Sequence, residues 1–417
     1  MNLKDAKVLV IDGVGLHVEM ALRFLRDCKE VNYCVLEEGG TELGGKIGDG
    51  VDGLKRVCSP WNLVDKVDFI VCPDTGSAEL VEYLKAHNYP VAGPGSAEIL
   101  ETDRMWSRRY QRSQEMPTQA TKQIKGITAL KDYLRDKKDM FVKVDNEYRC
   151  VSESFKHSDF KASEQRIKYI DAKVGPYSEQ MGFVVEECIE GSEPGMDGIT
   201  FDGELVFPTL AGYERKKKGY VTRVYNTWEE YPEPYREIHE GLAPELKKRK
   251  TKFFYSTELI IGKDRRPFLI DVTQRLASPC TFAVQLELIG NYTEVVYGLA
   301  TGVRVVPKMT AKYGAGMPFE SKEIEKDFVN IMFPKELRQW VKLSTACKVG
   351  SDYYAIPNTS GDPLGCVVAV GNTVEEAMSK VKERIKEVKG EGICYDEGGF
   401  DKIPDDITEG KRKGISF

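Results

Sequence analysis

A chain of 417 residues is too long for one ordinary hydrophobic core, and two to four domains is the natural expectation. Hydrophobic residues at 41% and charged residues at 30% describe a soluble globular protein, and a formal net charge of -6 argues against a general nucleic-acid surface, so any anion site has to be local. Ten cysteines are scattered without a CxxC pair or a histidine at metal spacing, which speaks against structural zinc and for reduced thiols; with a strand starting at once in MNLKDAKVLVID and no apolar run near the ~18 residues of a membrane span, a cytoplasmic protein is expected.

Residues 7 to 11, KVLVI, form a fully apolar run suited to a central parallel strand, and Val18, Met20, Ala21, Leu22, Phe24 and Leu25 can line the helix that follows. Gly13 and Gly15 either bring backbone close to a ligand at that helix's N-terminus or make a plain tight turn; no full GxGxxG is present. VNYCVLEE (31 to 38), VDFIVC (67 to 72) and YPVAGP (89 to 94) read as further strands, with a helix from Ala78 to His87 after the break at Cys72 to Ser77. Repeated β-α-β units with short loops predict an α/β, doubly wound domain over roughly residues 1 to 100.

A helix is expected from Ser96 to about Gln114, carrying Arg104, Arg108, Arg109 and Arg112, which in the ordinary case are solvated. After Met116-Pro117-Thr118 the chain alternates strands (FVKV at 141 to 144, GFVVEECI at 182 to 189) with helices such as ITALKDYLRDK, then gives the ITFDGELVFP hairpin around Asp202-Gly203. This is an α+β region. Its basic stretch, Tyr213 to Gly219, is either an exposed loop or a source of positive charge beside a phosphate site.

Residues 225 to 252 are charged and aromatic and hold a helix ending in LKKRKTK. The stretch from Thr257 to Arg275 then reads as a hairpin turning at Gly262 to Arg266. Folding it brings Glu258 and Asp271 together, with Thr273 and Arg275 farther along the same strand face. Carboxylates inside β-forming runs are ordinarily solvated, paired or bound to a cation, so these two are either plain solvent-face residues or hard oxygen ligands for Mg²⁺ carrying nucleotide phosphates. Left bare, they are expected to repel each other. One helix is predicted at about 281 to 301, with Gly302 as its C-cap. Beyond it, YYAIP and GCVVAVG read as strands, Thr373 to Lys389 as an amphipathic helix, and KIPDDITEGKRKGISF as a loose polar tail.

Together these pieces resemble the ATP-grasp ligases, in particular the phosphoribosylamine-glycine ligases. Val67 to Glu101 looks like that family's strand, Gly-Pro-Glu turn, helix and Phe-Gly-Pro strand, followed by a Leu-Glu-x-Ser-Lys helix in which Arg104 stands where the first nucleotide-binding lysine is expected. Met116-Pro117-Thr118 resembles Ile-Pro-Thr, and Phe141 to Asp145 resembles Val-Val-Lys-x-Asp, making Lys143 the second phosphate lysine. Val185 to Glu193 is similar to the family's adenine and ribose strand, Ile-Glu-Glu-Phe-Leu-Glu-Gly-x-Glu. The resemblance implies that backbone around Glu186, Glu187 and Ile189 meets the adenine edge and that Glu193 accepts from the ribose hydroxyls. It further implies that Glu258, Asp271 and Thr273 bind Mg²⁺, with Mn²⁺ as an alternative, and that Arg275 and Arg215 act in catalysis.

What the resemblance implies is an ATP-dependent ligase joining a small carboxylate to an amine through an acyl phosphate, as a monomer or small homo-oligomer without a membrane or nucleic-acid partner. Its domains would be 1–100, an ATP-grasp domain 101–305 with lobes about 119–190 and 191–305, and a β-rich C-terminal domain 306–417. Some positions depart from the family. The loop after Lys143, Asn146 to Val151, holds no glycine, and Ala277-Ser278-Pro279-Cys280 replaces Gly-Asp-Pro-Glu. Substrates other than glycine and phosphoribosylamine are therefore expected, and a nucleotide-binding module without turnover is the alternative.

Overall fold

The computed structural model describes residues 2–36, 44–145, 154–277, 279–357 and 361–417. The expected apolar run becomes strand Lys7–Asp12 at the centre of a parallel sheet ordered Lys55–Arg56, Glu30–Val35, Lys7–Asp12, Phe69–Val71, Val91–Ala92. Its side chains alternate between two cores: Val8 and Val10 pack toward Phe24 and Tyr292, Leu9 and Ile11 toward Val81 and Leu84. Burial on both faces is why the run is continuously apolar. At its end the buried Asp12 carboxylate accepts from the amides of Val14, Gly15 and His17 and from the Tyr33 hydroxyl. Those amides are spent within the turn, so the Gly13 to Gly15 segment is an Asp12-centred turn.

A second sheet, entirely antiparallel, is ordered Thr121–Lys125, Gly182–Glu187, Met140–Val144, Ser154–His157. Helices Ile127–Leu134 and Phe160–Val174 share its core, with Leu130, Ile167 and Ile170 packed on Val142, Phe183 and Val185. The long sheet runs from Pro267–Thr273 through Lys252–Ile261, Pro194–Phe201, Thr209–Arg215 and Gly219–Tyr225 to Tyr313–Phe319, Gly365–Gly371 and Val341–Leu343. It does not break near residue 305, because Gly219–Tyr225 pairs directly with Tyr313–Phe319. The predicted hairpin closes with Ile261 opposite Pro267, and a bulge between Glu258 and Leu259 shifts the register so that Glu258 comes opposite Asp271.

Several expectations need correction. The helix predicted at about 281 to 301 is two helices, Pro279–Leu288 and Tyr292–Thr301. They part at Gly290, whose amide donates to Lys308 O instead of continuing the helix, while Gly302 caps the second in the left-handed conformation as expected. The helix predicted from Ser96 to Gln114 is interrupted at Asp103, whose side chain accepts from Trp106 N and starts a fresh helix, Arg104–Ser113.

The C-terminal tail is docked, not loose. Helix Ile403–Arg412 buries Ile403, and Ile415 beyond it is also buried. Asp406 accepts from Arg215 at 2.7 Å, Lys413 Nζ donates to Ile261 O at 2.8 Å, and Tyr225 donates to Ser416 O at 2.6 Å. A polar sequence with two well-placed isoleucines was enough for anchoring, because its charges find fixed partners on the long sheet. We expect Ile403→Ala to lower stability by roughly 2 to 5 kcal/mol in chemical denaturation, the usual effect of truncating a buried aliphatic side chain. Lys411→Ala on the exposed side should stay within about 0.5 kcal/mol of the parent.

Candidate functional site

Alternation along the strands of the long sheet puts one set of side chains on a common face. Asp271, Glu258, Gly195 and Gly212 are consecutive partners across four strands, and the adjacent row carries Thr273, Ser256 and Asp197. Facing them is the end of the second sheet. Between the two lies a cavity of about 410 Å³, lined among others by Lys143, Glu186, Glu187, Ile189, Glu193, Glu258, Thr273 and Arg275. Asp271 and Arg104 sit at its edge around a small recess shared with Lys143 and Glu186. The structure thus gathers ten of the eleven residues singled out from sequence.

Lys143 is the hub of this region. Its Nζ donates to Ile270 O at 2.8 Å and stands 3.7 Å from Asp271 and 3.9 Å from Glu186. Burial pushes the Lys143 ammonium below its ordinary value, with the Asp271 charge opposing. Arg104 lies 3.9 Å from Asp271 and donates to Val144 O. Burial works to raise Asp271, yet Lys143, Arg104, Arg108 and Lys216 hold its carboxyl below the usual range. The expected repulsion between Glu258 and Asp271 is corrected here, because each carboxylate faces a cation of its own: Glu258 binds Lys216 at 2.9 Å.

The Glu186 side chain is committed within the protein. Its carboxylate is almost wholly buried and is held by Arg108, with Gln119 donating at 3.1 Å. Thr121 and Phe141 flank its backbone on both sides, so the edge of the sheet opens only past it. Even there the amides of Glu187 and Cys188 donate to Ala120 O and Asp139 O. Glu187 and Glu193 are exposed at the cavity rim, with Ile189 between them.

Arg215 is the predicted residue that the structure does not bring to the site. On strand Thr209–Arg215 it alternates with Glu214 and therefore turns to the opposite face, where it pairs with Asp406. Lys216, one residue on, faces the cavity instead. Three other participants, Arg108, Glu101 and Asp74, were missed. Arg108, expected to be solvated, donates to Glu186 and to the carbonyls of Leu269 and Ile270, tying the second sheet to the hairpin; its i,i+4 spacing from Arg104 was the available signal. Arg275 is held by Glu101 at 3.0 Å and Asp74 at 3.3 Å, acids from two separate segments that no local pattern marks. The loop Asn146 to Val151 and Ser278 lie outside the described residues.

Among the described residues, no three His, Cys, Asp or Glu side chains converge as a ready cation cage. The donor set at the hairpin is nevertheless hard oxygen throughout, two carboxylates and the Thr273 hydroxyl, and suits a Mg²⁺ that takes its remaining ligands from phosphate.

Two measurements test this electrostatic account. Arg108→Met leaves the Glu186 carboxylate buried with its principal partner gone and should destabilise by about 3 to 5 kcal/mol, most of which Glu186→Gln in the same chain should restore. Burial raises the Glu101 carboxyl from 4.5 to about 7. Since the folded state holds this proton more tightly than the unfolded state, Glu101 costs stability progressively as pH rises from 4.5 to about 7. Glu101→Gln should remove that decline, shifting the mutant-minus-parent stability by roughly 3 kcal/mol across the window.

No protein-family model matches the chain. Among solved structures, it is similar to phosphoribosylamine-glycine ligase from Thermotoga maritima, at a TM-score of 0.70 and 15% identity over 94% of this chain and 99% of that one. The biotin carboxylase domain of Hydrogenobacter thermophilus 2-oxoglutarate carboxylase, solved with MgADP, ADP and bicarbonate, gives 0.67 at 10% identity over 96% and 98%. L-amino acid ligase from Bacillus licheniformis gives 0.60 at 16% over 94% and 99%. These structures are ATP-grasp ligases, and this chain has their fold over nearly its whole length.

Proposed function

We propose that the chain is an ATP-dependent carboxylate-amine ligase: ATP phosphorylates a carboxylate, and an amine displaces phosphate from the acyl phosphate to leave an amide and ADP. The observation that carries this reading is the cavity that sets Lys143 and Arg275 against the Glu258, Asp271 and Thr273 face. Chemistry of this kind asks little covalent help from protein, since the reactants have only to be aligned and the transferring charge neutralised. Mg²⁺, bound by Glu258, Asp271 and Thr273, would neutralise charge on the transferring phosphoryl group.

The chain's own residues divide the remaining work. Arg104 and Lys143 hold phosphate oxygens, and Glu187, Ile189 and Glu193 take adenine and ribose at the rim. Lys216, which pairs with Glu258 and lines the cavity, would supply a further positive charge beside the transferring group. Arg275 is braced by Glu101 and Asp74 and presents its guanidinium to the acyl phosphate or substrate carboxylate. The free thiols among the described cysteines suit a reducing cytoplasm. Glycine and phosphoribosylamine are not the proposed substrates, because in sequence Ser278 and Cys280 replace the two acids of the Gly-Asp-Pro-Glu run that the resemblance implies. A second reading, nucleotide binding without turnover, draws on the absence of glycine from Asn146 to Val151.

The test is acyl phosphate trapping. With Mg-ATP, hydroxylamine and a panel of small carboxylates, a ligase forms a hydroxamate and ADP together, whereas a binding module forms neither. Glu258→Gln should abolish at least about 99% of this turnover, yet change stability by less than about 1 kcal/mol, because its ion pair with Lys216 is solvent-exposed. Asp264→Asn in the turn serves as the inert control.

A further inference from the structure

The row of the sheet beside the acid pair contains a carboxylate that the proposed nucleotide chemistry does not use. Asp197 lies opposite Ser256, and Ser256 lies opposite Thr273. Asp197 is 4% exposed, yet it lines the 410 Å³ cavity. Ser256 donates to one of its oxygens and Tyr220 to the other, at 2.5 and 2.6 Å. The charged group that bears on it is a second acid, Glu258, and not a cation. Burial raises its carboxyl to about 6, Glu258 adds to the rise, and the two hydroxyls oppose it. At neutral pH, then, a buried carboxylate faces the cavity with two neutral donors and no counter-ion among the described residues, an arrangement that favours a bound cation.

The surface next to it is bare. A Cβ on Gly212 would come within 1.9 Å of Val221 O, and one on Gly195 within 3.1 Å of Thr257 O, so the row between Glu258 and the neighbouring strands carries no side chain. Diagonal neighbours in adjacent rows stand about 7 to 8 Å apart, which leaves room for one small group between Glu258 and Asp197.

We propose that Asp197 binds the acceptor amine as its ammonium ion and takes the proton that the amine must lose before attack. This rests on the ligase reading above. The ammonium gives one proton to the Asp197 carboxylate, and the freed lone pair forms the C–N bond at the acyl carbon as the C–O bond to phosphate breaks. The second nitrogen proton leaves with the phosphate, and Asp197 returns its own to solvent as the amide departs. Ser256 and Tyr220 hold the carboxylate in place, and the glycine floor lets the amine lie flat between the two rows.

Calorimetry on the full chain tests the site with ethylammonium chloride and with Mg-ADP. The parent should bind ethylammonium at least tenfold more tightly than the uncharged 1-propanol. Asp197→Asn should lose tenfold or more in ethylammonium affinity, with Asp197→Glu restoring part of it, while Mg-ADP affinity stays within twofold in every variant. With a carboxylate found active by hydroxamate trapping, Asp197→Asn should raise the amine KM at least tenfold and the ATP KM less than twofold. Equal binding of ethylammonium and 1-propanol by the parent, or unchanged ethylammonium affinity in Asp197→Asn, overturns the proposal. So does a parallel loss of Mg-ADP affinity, which marks Asp197 as a structural anchor. Ethylammonium binding without Mg-ADP binding would overturn the ligase reading and leave the cation site standing.

Discussion

Compensation of buried charge at Lys143 is the constraint on which the rest of the site depends. An ammonium this deeply buried is tolerable only with acids beside it, and the structure places Asp271 and Glu186 on two sides and the Ile270 carbonyl on a third. Glu186 in turn needs Arg108, and Arg108 needs the carbonyls of Leu269 and Ile270. The chain of partners runs from one sheet to the other. Whatever holds these charges together also fixes the second sheet against the hairpin, and with it the width of the cavity.

A second set of buried ion pairs performs a similar task at the other end of the molecule. Lys342 and Glu287, both nearly inaccessible, meet at 2.6 Å, and Glu287 also binds Arg26 of the N-terminal unit. Burial opposes ionisation of Glu287, but Lys342 and Arg26 hold its carboxyl at about 2. Arg338 bridges Glu19 and Asp52 on the same side. These contacts fasten the parallel sheet to the far strands of the long sheet, so Asp74, which braces Arg275, comes from an element held rigidly in place.

The face between the two networks combines acids with absent side chains. Glu258 and Asp271 each lean on a cation that a phosphate could draw away, while Gly195 and Gly212 keep the adjacent floor open. Pairing Glu258 and Asp271 with cations keeps this face stable; leaving the floor bare keeps it accessible. Asp197 stands apart from this pattern as a buried acid with no cation beside it among the described residues, which is why it marks a subsite of its own.

The sequence by itself determined the elements whose signals are local. The apolar run at 7 to 11, the Asp202-Gly203 turn and the Glu258 to Asp271 hairpin follow from strand period and turn chemistry, whereas the bulge between Glu258 and Leu259, which no local signal marks, sets the two acids opposite each other. Lys143 was legible through the resemblance of Phe141 to Asp145 to a Val-Val-Lys-x-Asp strand. Only the tertiary structure decided where long side chains go. Arg108 was one of four arginines on a polar helix until the second sheet and the hairpin closed around it, and Arg215 and Lys216 differ by one residue of strand alternation that their basic stretch conceals. The docking of the polar tail, the continuity of the long sheet past residue 305 and the Glu101 and Asp74 brace on Arg275 were likewise invisible. Each depends on contacts between segments distant in sequence, and the charge of a side chain says what it needs nearby without saying which segment will provide it.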